Sequence, residues 1–343
     1  MHRSDFCMAG AFRDIFLFKD YFRMRSLFLL VTLISLLIYL SRLFSLINSY
    51  PPSFFGLPSV TNFLGGTVFG IGMVMAGGCT IGTLYKMGSG NLVSAFAFLG
   101  ILFGSILFAV FYPLSLSFTH AVTLSRKIIS LEQIAGTAVI PLLLLLSLSV
   151  FLFYKWYRER KWTQKAYASG YLDPWKAAVL MAIVVSLSFI MSGRPLSVTK
   201  GYAKLSAYLG GQSLFHSMSG LRFYKEDSLR LLDGTIMRGG TGTNMDAITI
   251  TQIPLITGII LGAFFSSVQL KEFKINSLPP GKQILSALTG GILMAVGSLM
   301  ASGCNLWHII GGLPVFALQS ILFVSGLIPG AYIGSHIIKR III

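Results

Sequence analysis

The chain has 343 residues, of which 54% are hydrophobic and 11% charged, and its mean hydropathy is +0.77. Soluble domains carry about a quarter charged residues, so this composition excludes a soluble globular protein and predicts an integral membrane protein. The net charge of +16 comes from basic residues beside apolar segments, with no patch large enough for a duplex, so we expect no nucleic-acid partner. The three cysteines are too widely spaced for a disulfide framework or a metal site, and no cofactor motif occurs, so we expect neither.

Apolar segments long enough to cross about 30 Å of hydrocarbon recur along the whole chain. The first, 26–48, follows a basic N-terminus and is too long for the apolar core of a signal peptide. Further continuous spans are predicted at 92–113, 136–154, 176–192, 248–268 and 315–338. Together with two interrupted segments, they predict an all-α integral membrane protein with about eight crossings.

The two interrupted segments are 62–90 and 284–312, which are broken near the middle at Gly77-Gly-Cys-Thr80 and Ser302-Gly-Cys-Asn305. They match each other at an offset of 225 residues, with identities at Gly65/Gly290, Gly66/Gly291, Gly72/Gly297, Met75/Met300, Ala76/Ala301, Gly78/Gly303 and Cys79/Cys304. Paired broken helices in the two halves of a membrane protein point to a substrate site near the bilayer midplane. The repeat therefore predicts a transporter.

The charge distribution predicts the topology. Basic residues concentrate in the N-terminus, in the loops 155–176 and 268–283, and at the C-terminus. If all four regions face the cytoplasm, each broken segment counts as one crossing and the two run in opposite directions. We therefore expect two halves of inverted topology, 1–155 and 176–343, joined by a basic cytoplasmic linker at 156–175.

The region 193–247 is long and basic and contains no full apolar span. Its first part, 192–202, is predicted to dip into the membrane and return. At an offset of 190 residues it loosely matches 4–14, with Cys7, Ala11 and Phe12 opposite Ser197, Gly201 and Tyr202. Irregular backbone at membrane depth survives only inside protein or beside a water-filled cavity, so four such segments would enclose a pathway.

The broken segments carry the candidate substrate-binding residues. Gly78 and Gly303 permit the break, and a helix that restarts at Thr80 presents unpaired N–H groups and a positive dipole end to an anion. Cys79 and Cys304 would face each other at the midplane, with Asn305 as a neutral donor. The alternative is that the glycines serve only close helix packing and the cysteines are incidentally buried.

Three further residues have two interpretations each. Lys86 either contributes charge to the pathway or extends to the cytoplasmic interface. His308 is either an orienting hydrogen-bond donor, which we favour, or a proton relay. Arg194 either pairs with the anion or caps a helix.

The motifs Gly77–Gly88, Ala301–Pro314 and Ser192–Thr199, with the N-terminal Cys7 segment, resemble the YeeE/YedE sulfur-transport family over nearly the whole chain. The resemblance implies an hourglass-shaped importer of thiosulfate in the bacterial inner membrane, with re-entrant loops from both faces. It also implies that Cys7, Cys79 and Cys304 pass the anion along by S–H···S hydrogen bonds. Members often work with a small cytosolic sulfur-carrier protein.

Two alternatives to thiosulfate uptake stay open. One is a membrane enzyme of sulfurtransferase type in which a cysteine forms a persulfide. The other is a permease for a different sulfur or selenium compound. The prediction is a transporter and not an enzyme.

Overall fold

The computed structural model describes residues 1–47, 54–125, 127–161, 164–166, 168–212, 220–226, 228–230, 236–275 and 277–342. Over these residues the protein is helical apart from one short hairpin. The helices are α1 Met8–Phe18, α2 Phe22–Leu43, α3 Val60–Met75, α4 Thr80–Gly88, α5 Leu92–Ala121, α6 Leu131–Ala135, α7 Val139–Arg158, α8 Pro174–Ser192, α9 Thr199–Gln212, α10 Ala247–Gln269, α11 Gly281–Met300 and α12 Leu318–Ile342. A π-helical turn, Leu306–Gly312, lies between α11 and α12.

Eight helical stretches of the described chain, with α3 and α4 taken together as one, are long and apolar enough to cross a membrane. The predicted number of crossings is confirmed. Two boundaries differ from the prediction. Helix α2 begins at Phe22 and not at residue 26, because Arg23 joins its first turn and pairs with Asp5 and Asp14. Helix α5 continues past Pro113 to Ala121, and the Ser117 hydroxyl donates to the Pro113 carbonyl (3.0 Å) beyond that proline.

Helices α3 and α11 cross at glycines, with their backbones in contact. A Cβ added to Gly65 would lie 2.6 Å from the Gly297 carbonyl oxygen, and one added to Gly72 would lie 2.6 Å from that of Gly290. Helix α12 packs equally closely on α3, where a Cβ added to Gly66 would lie 2.2 Å from the Phe323 carbonyl oxygen. Helix α5 packs on α11 in the same manner, with 2.2 Å from a Cβ at Gly291 to the Ala97 carbonyl oxygen. No side chain fits these positions, so the two broken segments lie against each other at the centre of the protein.

The region 193–247 contains α9, a 3-10 turn at Arg222–Lys225, and strands β1 Ser228–Arg230 and β2 Ile236–Arg238, which pair antiparallel. Residues 213–219, 227 and 231–235 lie outside the described part of the chain. The buried Lys204 ties α9 to the start of α10 through an ion pair with Asp246 (2.9 Å) and a hydrogen bond to the Gly242 carbonyl (2.7 Å).

Candidate functional site

The first break lies between α3 and α4. Gly77 has φ +70°, and the N–H groups of Gly77 and Gly78 donate back to Val74 and Met73, which closes the end of α3. Helix α4 restarts three residues later with Cys79 as its N-cap, because the Gly82 N–H donates to the Cys79 sulfur at 3.4 Å. The thiol therefore sits on the positive end of a new helix.

The second break repeats the same turn, 225 residues later. Ser302 has φ +64°, and the Gly303 N–H donates to the Ser298 carbonyl at 2.7 Å. The first bond after each cysteine is also shared, because the Cys79 carbonyl accepts from the Thr83 N–H at 2.8 Å and the Cys304 carbonyl from the His308 N–H at 2.9 Å. The restart differs in that an α-helix follows Cys79 and a π-helical turn follows Cys304. Gly303 is required here, since an added Cβ would lie 2.3 Å from Cδ1 of Trp307. Such π-helical turns occur frequently at functional sites.

Cys7 occupies a third helix start. It is the N-cap of α1 and accepts from the Gly10 N–H at 3.4 Å. A Cβ at Gly82 would lie 3.6 Å from the sulfurs of both Cys7 and Cys79, so these two thiols flank one bare glycine. Cys304 lies against the same helix that leads to Cys79, because the amide of the neighbouring Asn305 contacts the Met73 sulfur of α3 at 3.7 Å. The structure thus gathers the three sequence-predicted cysteines, all of them unbridged and less than a tenth exposed.

Unpaired polar atoms surround the thiols. The Thr80 hydroxyl and the Asn305 amide oxygen are buried without a hydrogen-bond partner among the described residues. The Tyr85 hydroxyl lies beside the Cys7 thiol. The Asn305 amide nitrogen meets only the Met73 sulfur, at 3.7 Å. Because buried polar groups are nearly always paired, these atoms beside the thiols are exceptions among the buried groups of the described chain.

Lys86 is half-buried and hydrogen-bonds to the chain at the first break. Its ammonium group turns back and donates to the Gly77 carbonyl at 2.8 Å, which satisfies an orphan acceptor at the end of α3. Its positive charge therefore lies at the first break.

His308 is fully buried and uses both ring nitrogens within the protein. Nε2 lies 3.1 Å from the Ala301 carbonyl oxygen and must donate to it, so Nδ1 accepts from the Ser320 hydroxyl at 3.0 Å. The ring also stacks on Phe323, with 4.2 Å between centroids. His308 is thus a positioning residue that fixes the second break, and no ring nitrogen is left for an anion.

Two cavities lie at opposite ends of α8, and Cys7 lines one of them. The one we call the Arg194 cavity has a volume of about 470 Å³ and is lined by Arg194, Lys200, Thr199, Ser302 and Trp307, among others. The Cys7 cavity, about 110 Å³, is lined by Cys7, Arg23 and Lys165. Pro174 at the start of α8 lines the second cavity, and Ser192 at its end lines the first.

The sequence profile of the sulphur-transport family matches residues 3–333. The chain belongs to this family. It is 29% identical over 337 residues to the thiosulfate transporter TsuA of Spirochaeta thermophila, which covers 95% of this chain and 92% of that protein. It is 23% identical over 327 residues to TsuA of Escherichia coli, with 89% and 81% covered. A probable transporter YedE of Escherichia coli matches 82 residues at 28% identity, which is 24% of this chain.

Membership of the sulphur-transport family confirms the predicted resemblance and makes the chain a multi-pass membrane transporter of sulfur compounds and not an enzyme. The site includes residues that sequence reasoning missed. Tyr202 donates from its hydroxyl to the Thr80 carbonyl at 3.0 Å, and Thr199 and Trp307 carry buried polar atoms without a partner in the described chain. Tyr202 could have been found from the sequence, because it lies in the segment 192–202 that was predicted to dip into the membrane. No feature of the sequence around Trp307 indicates a role for its indole N–H.

Proposed function

We propose that this member of the family imports thiosulfate across a bacterial inner membrane, passing it from the Arg194 cavity to the Cys7 cavity along the three thiols. The convergence of three buried thiols on one set of unpaired polar atoms carries the proposal. Two relatives that match over most of their length are named thiosulfate transporters. A net charge of +16 favours an anionic substrate.

We propose that the halves 1–155 and 176–343 form an inverted repeat, joined by a cytoplasmic linker at 156–175. The glycine contacts support this arrangement. Gly65 corresponds in sequence to Gly290, and Gly72 to Gly297, yet Gly65 contacts Gly297 and Gly72 contacts Gly290. A contact pattern that exchanges equivalent residues is the signature of a two-fold relation between the halves. The α1 and α9 segments then enter from opposite faces as re-entrant elements, which gives an hourglass shape.

The proposed path has a basic entrance. Arg194 and Lys200 in the wall of the Arg194 cavity raise the local concentration of a dianion. From there the anion reaches Cys304 and Asn305 at the second break, where Thr199 and Trp307 add donors.

The centre of the path is neutral. Burial opposes a charged thiolate, so the cysteines offer weak S–H donors and polarizable sulfur to the terminal sulfur of the anion. Weak successive sites suit conduction better than one tight site, because an ion must leave as easily as it enters. Helix starts at Cys79 and Cys7 add the positive ends of α4 and α1. Thiosulfate then enters the Cys7 cavity, from which a small cytosolic sulfur carrier would collect it.

The test is uptake of radiolabelled thiosulfate into proteoliposomes that contain only this protein. The unmodified chain takes up label, and excess unlabelled thiosulfate competes while sulfate does not. The variants Cys7→Ala, Cys79→Ala and Cys304→Ala each lose uptake, and Ser335→Ala, a buried residue with only an intrahelical hydrogen bond, keeps it. Retained uptake in all three cysteine variants contradicts the relay. Stronger competition by sulfite or selenite would assign the chain to a different sulfur or selenium compound.

A further inference from the structure

A third cavity, of about 500 Å³, lies outside the proposed path and has an entirely apolar lining. Its walls come from α1, α2, α7, α12 and the π-helical turn that follows Cys304. Representative lining residues are Phe12, Val31, Leu145, Val324, Ile309 and Leu313. With no polar group to receive a peptide backbone or an anion, the cavity excludes both as occupants.

Three of the helices that border this cavity, α1, α2 and α7, have ends on one common side. Phe16 near the end of α1 packs against Tyr332 in the middle of α12, with 5.5 Å between ring centroids, so α12 continues past the end of α1. Arg25 at the start of α2 lies 5.2 Å from the ring of Trp156 at the end of α7. Basic residues lie at these ends of α1, α2 and α7: Lys19, Arg25, Lys155 and Arg158.

We propose that an acyl chain of an anionic phospholipid occupies this cavity, with its headgroup held at the basic helix ends. The cavity opens between membrane-crossing helices, where lipid is the surrounding solvent. Basic pockets between such helices on the cytoplasmic side are the usual recognition sites for anionic headgroups. The apolar lining and the basic mouth therefore match the two parts of one such lipid.

The lipid would act on the second break. Ile309 and Leu313 belong to the helical turn and corner that follow Cys304, and their side chains form part of the cavity wall. An acyl chain packed against them supports the segment that holds Cys304. A lipid in the cavity would therefore stabilise the conformation of the second break.

Adjacent residues on α7 provide a matched pair for the test. Leu145 lines the cavity, whereas Leu144 is 65% exposed on the outer face. In native mass spectrometry of protein purified with an equimolar mixture of phosphatidylglycerol and phosphatidylcholine, the unmodified chain and Leu144→Trp retain one phosphatidylglycerol. Leu145→Trp, which fills the cavity, loses it. Equal retention by the two tryptophan variants overturns the site.

A second pair tests the headgroup. Arg25→Gln combined with Lys155→Gln abolishes the preference for phosphatidylglycerol over phosphatidylcholine, while Lys271→Gln combined with Lys274→Gln, in another basic loop, preserves it. If Leu145→Trp fails to fold, Val324→Phe fills the same cavity from α12. Equal binding of the two lipids by the unmodified chain contradicts the proposal, whatever the outcome of the transport assays.

Discussion

The two breaks of the sulphur-transport core begin alike and continue differently. Gly77 and Ser302 both have positive φ, and each turn is closed by the same pair of backbone hydrogen bonds. After the first break an α-helix restarts with the Cys79 sulfur bonded to the Gly82 N–H. After the second break the chain forms a π-helical turn, and no hydrogen bond to the Cys304 sulfur occurs among the described residues.

This difference indicates that the equivalent residues Cys79 and Cys304 have different structural roles. Cys79 caps a helix in addition to its proposed role in the path, whereas no hydrogen bond to the Cys304 sulfur occurs in the described part of the chain. At each break a different side chain binds a carbonyl group just after the preceding helix. Lys86 donates to the Gly77 carbonyl after α3, and His308 donates to the Ala301 carbonyl after α11. A charged anchor lies at the first break and a neutral anchor at the second.

The largest expected effect is the loss of uptake in the two cysteine variants, which should still differ in stability. Cys79→Ala and Cys304→Ala both lose thiosulfate uptake, but only Cys79→Ala also loses an N-cap, which costs about 0.5–1 kcal/mol. Thermal unfolding in the same lipid should therefore show a lower midpoint for Cys79→Ala alone. Equal midpoints for the two variants would remove the proposed difference in role.

Next, the matched glycines should differ in their tolerance of a methyl group. In Gly303→Ala the new Cβ meets the Trp307 ring at 2.3 Å, so we expect a loss of about 1–3 kcal/mol and strongly reduced uptake. In Gly78→Ala the nearest atom is 3.4 Å away, so folding and uptake stay close to normal. Uptake assays and melting curves for the pair decide this, and similar behaviour of both variants would contradict it.

A smaller effect tests the charged anchor. Lys86→Gln keeps a donor for the Gly77 carbonyl but removes the charge, and we expect uptake to fall roughly fivefold, the equivalent of about 1 kcal/mol in the barrier. Lys86→Met loses donor and charge, and should also lower the unfolding midpoint. Normal uptake in Lys86→Gln would show that Lys86 acts as a helix cap only.

The smallest effect concerns Ser302. Its φ of +64° is unfavourable for a residue with a Cβ, and Gly77 fills the equivalent position without that strain. Ser302→Gly should therefore raise stability slightly, by up to about 1 kcal/mol, with uptake unchanged. Gly77→Ala should lower stability by a similar amount. A destabilised Ser302→Gly would indicate that the serine hydroxyl has a role of its own.

Much of this organisation was predictable from residue pattern. The offset repeat located both breaks and Cys79 and Cys304, and hydropathy with basic loops gave the number of crossings. The local residue pattern could not predict hydrogen bonds between residues that are distant in the sequence. Nothing near His308 predicts that Ala301 and Ser320 occupy its two nitrogens, and the Gly77 carbonyl that binds Lys86 lies nine residues away across the break. The pairing of Tyr202 with Thr80 joins residues 122 positions apart.

The most direct test of the shared thiol path is protection of Cys79 and Cys304 from mixed-disulfide formation with an anionic methanethiosulfonate reagent in proteoliposomes. Peptide mass spectrometry measures the labelling rate of each cysteine with and without thiosulfate. We predict that thiosulfate slows labelling of both cysteines and that sulfate at the same concentration does not. Labelling of both at rates independent of thiosulfate would contradict a common path through the two breaks.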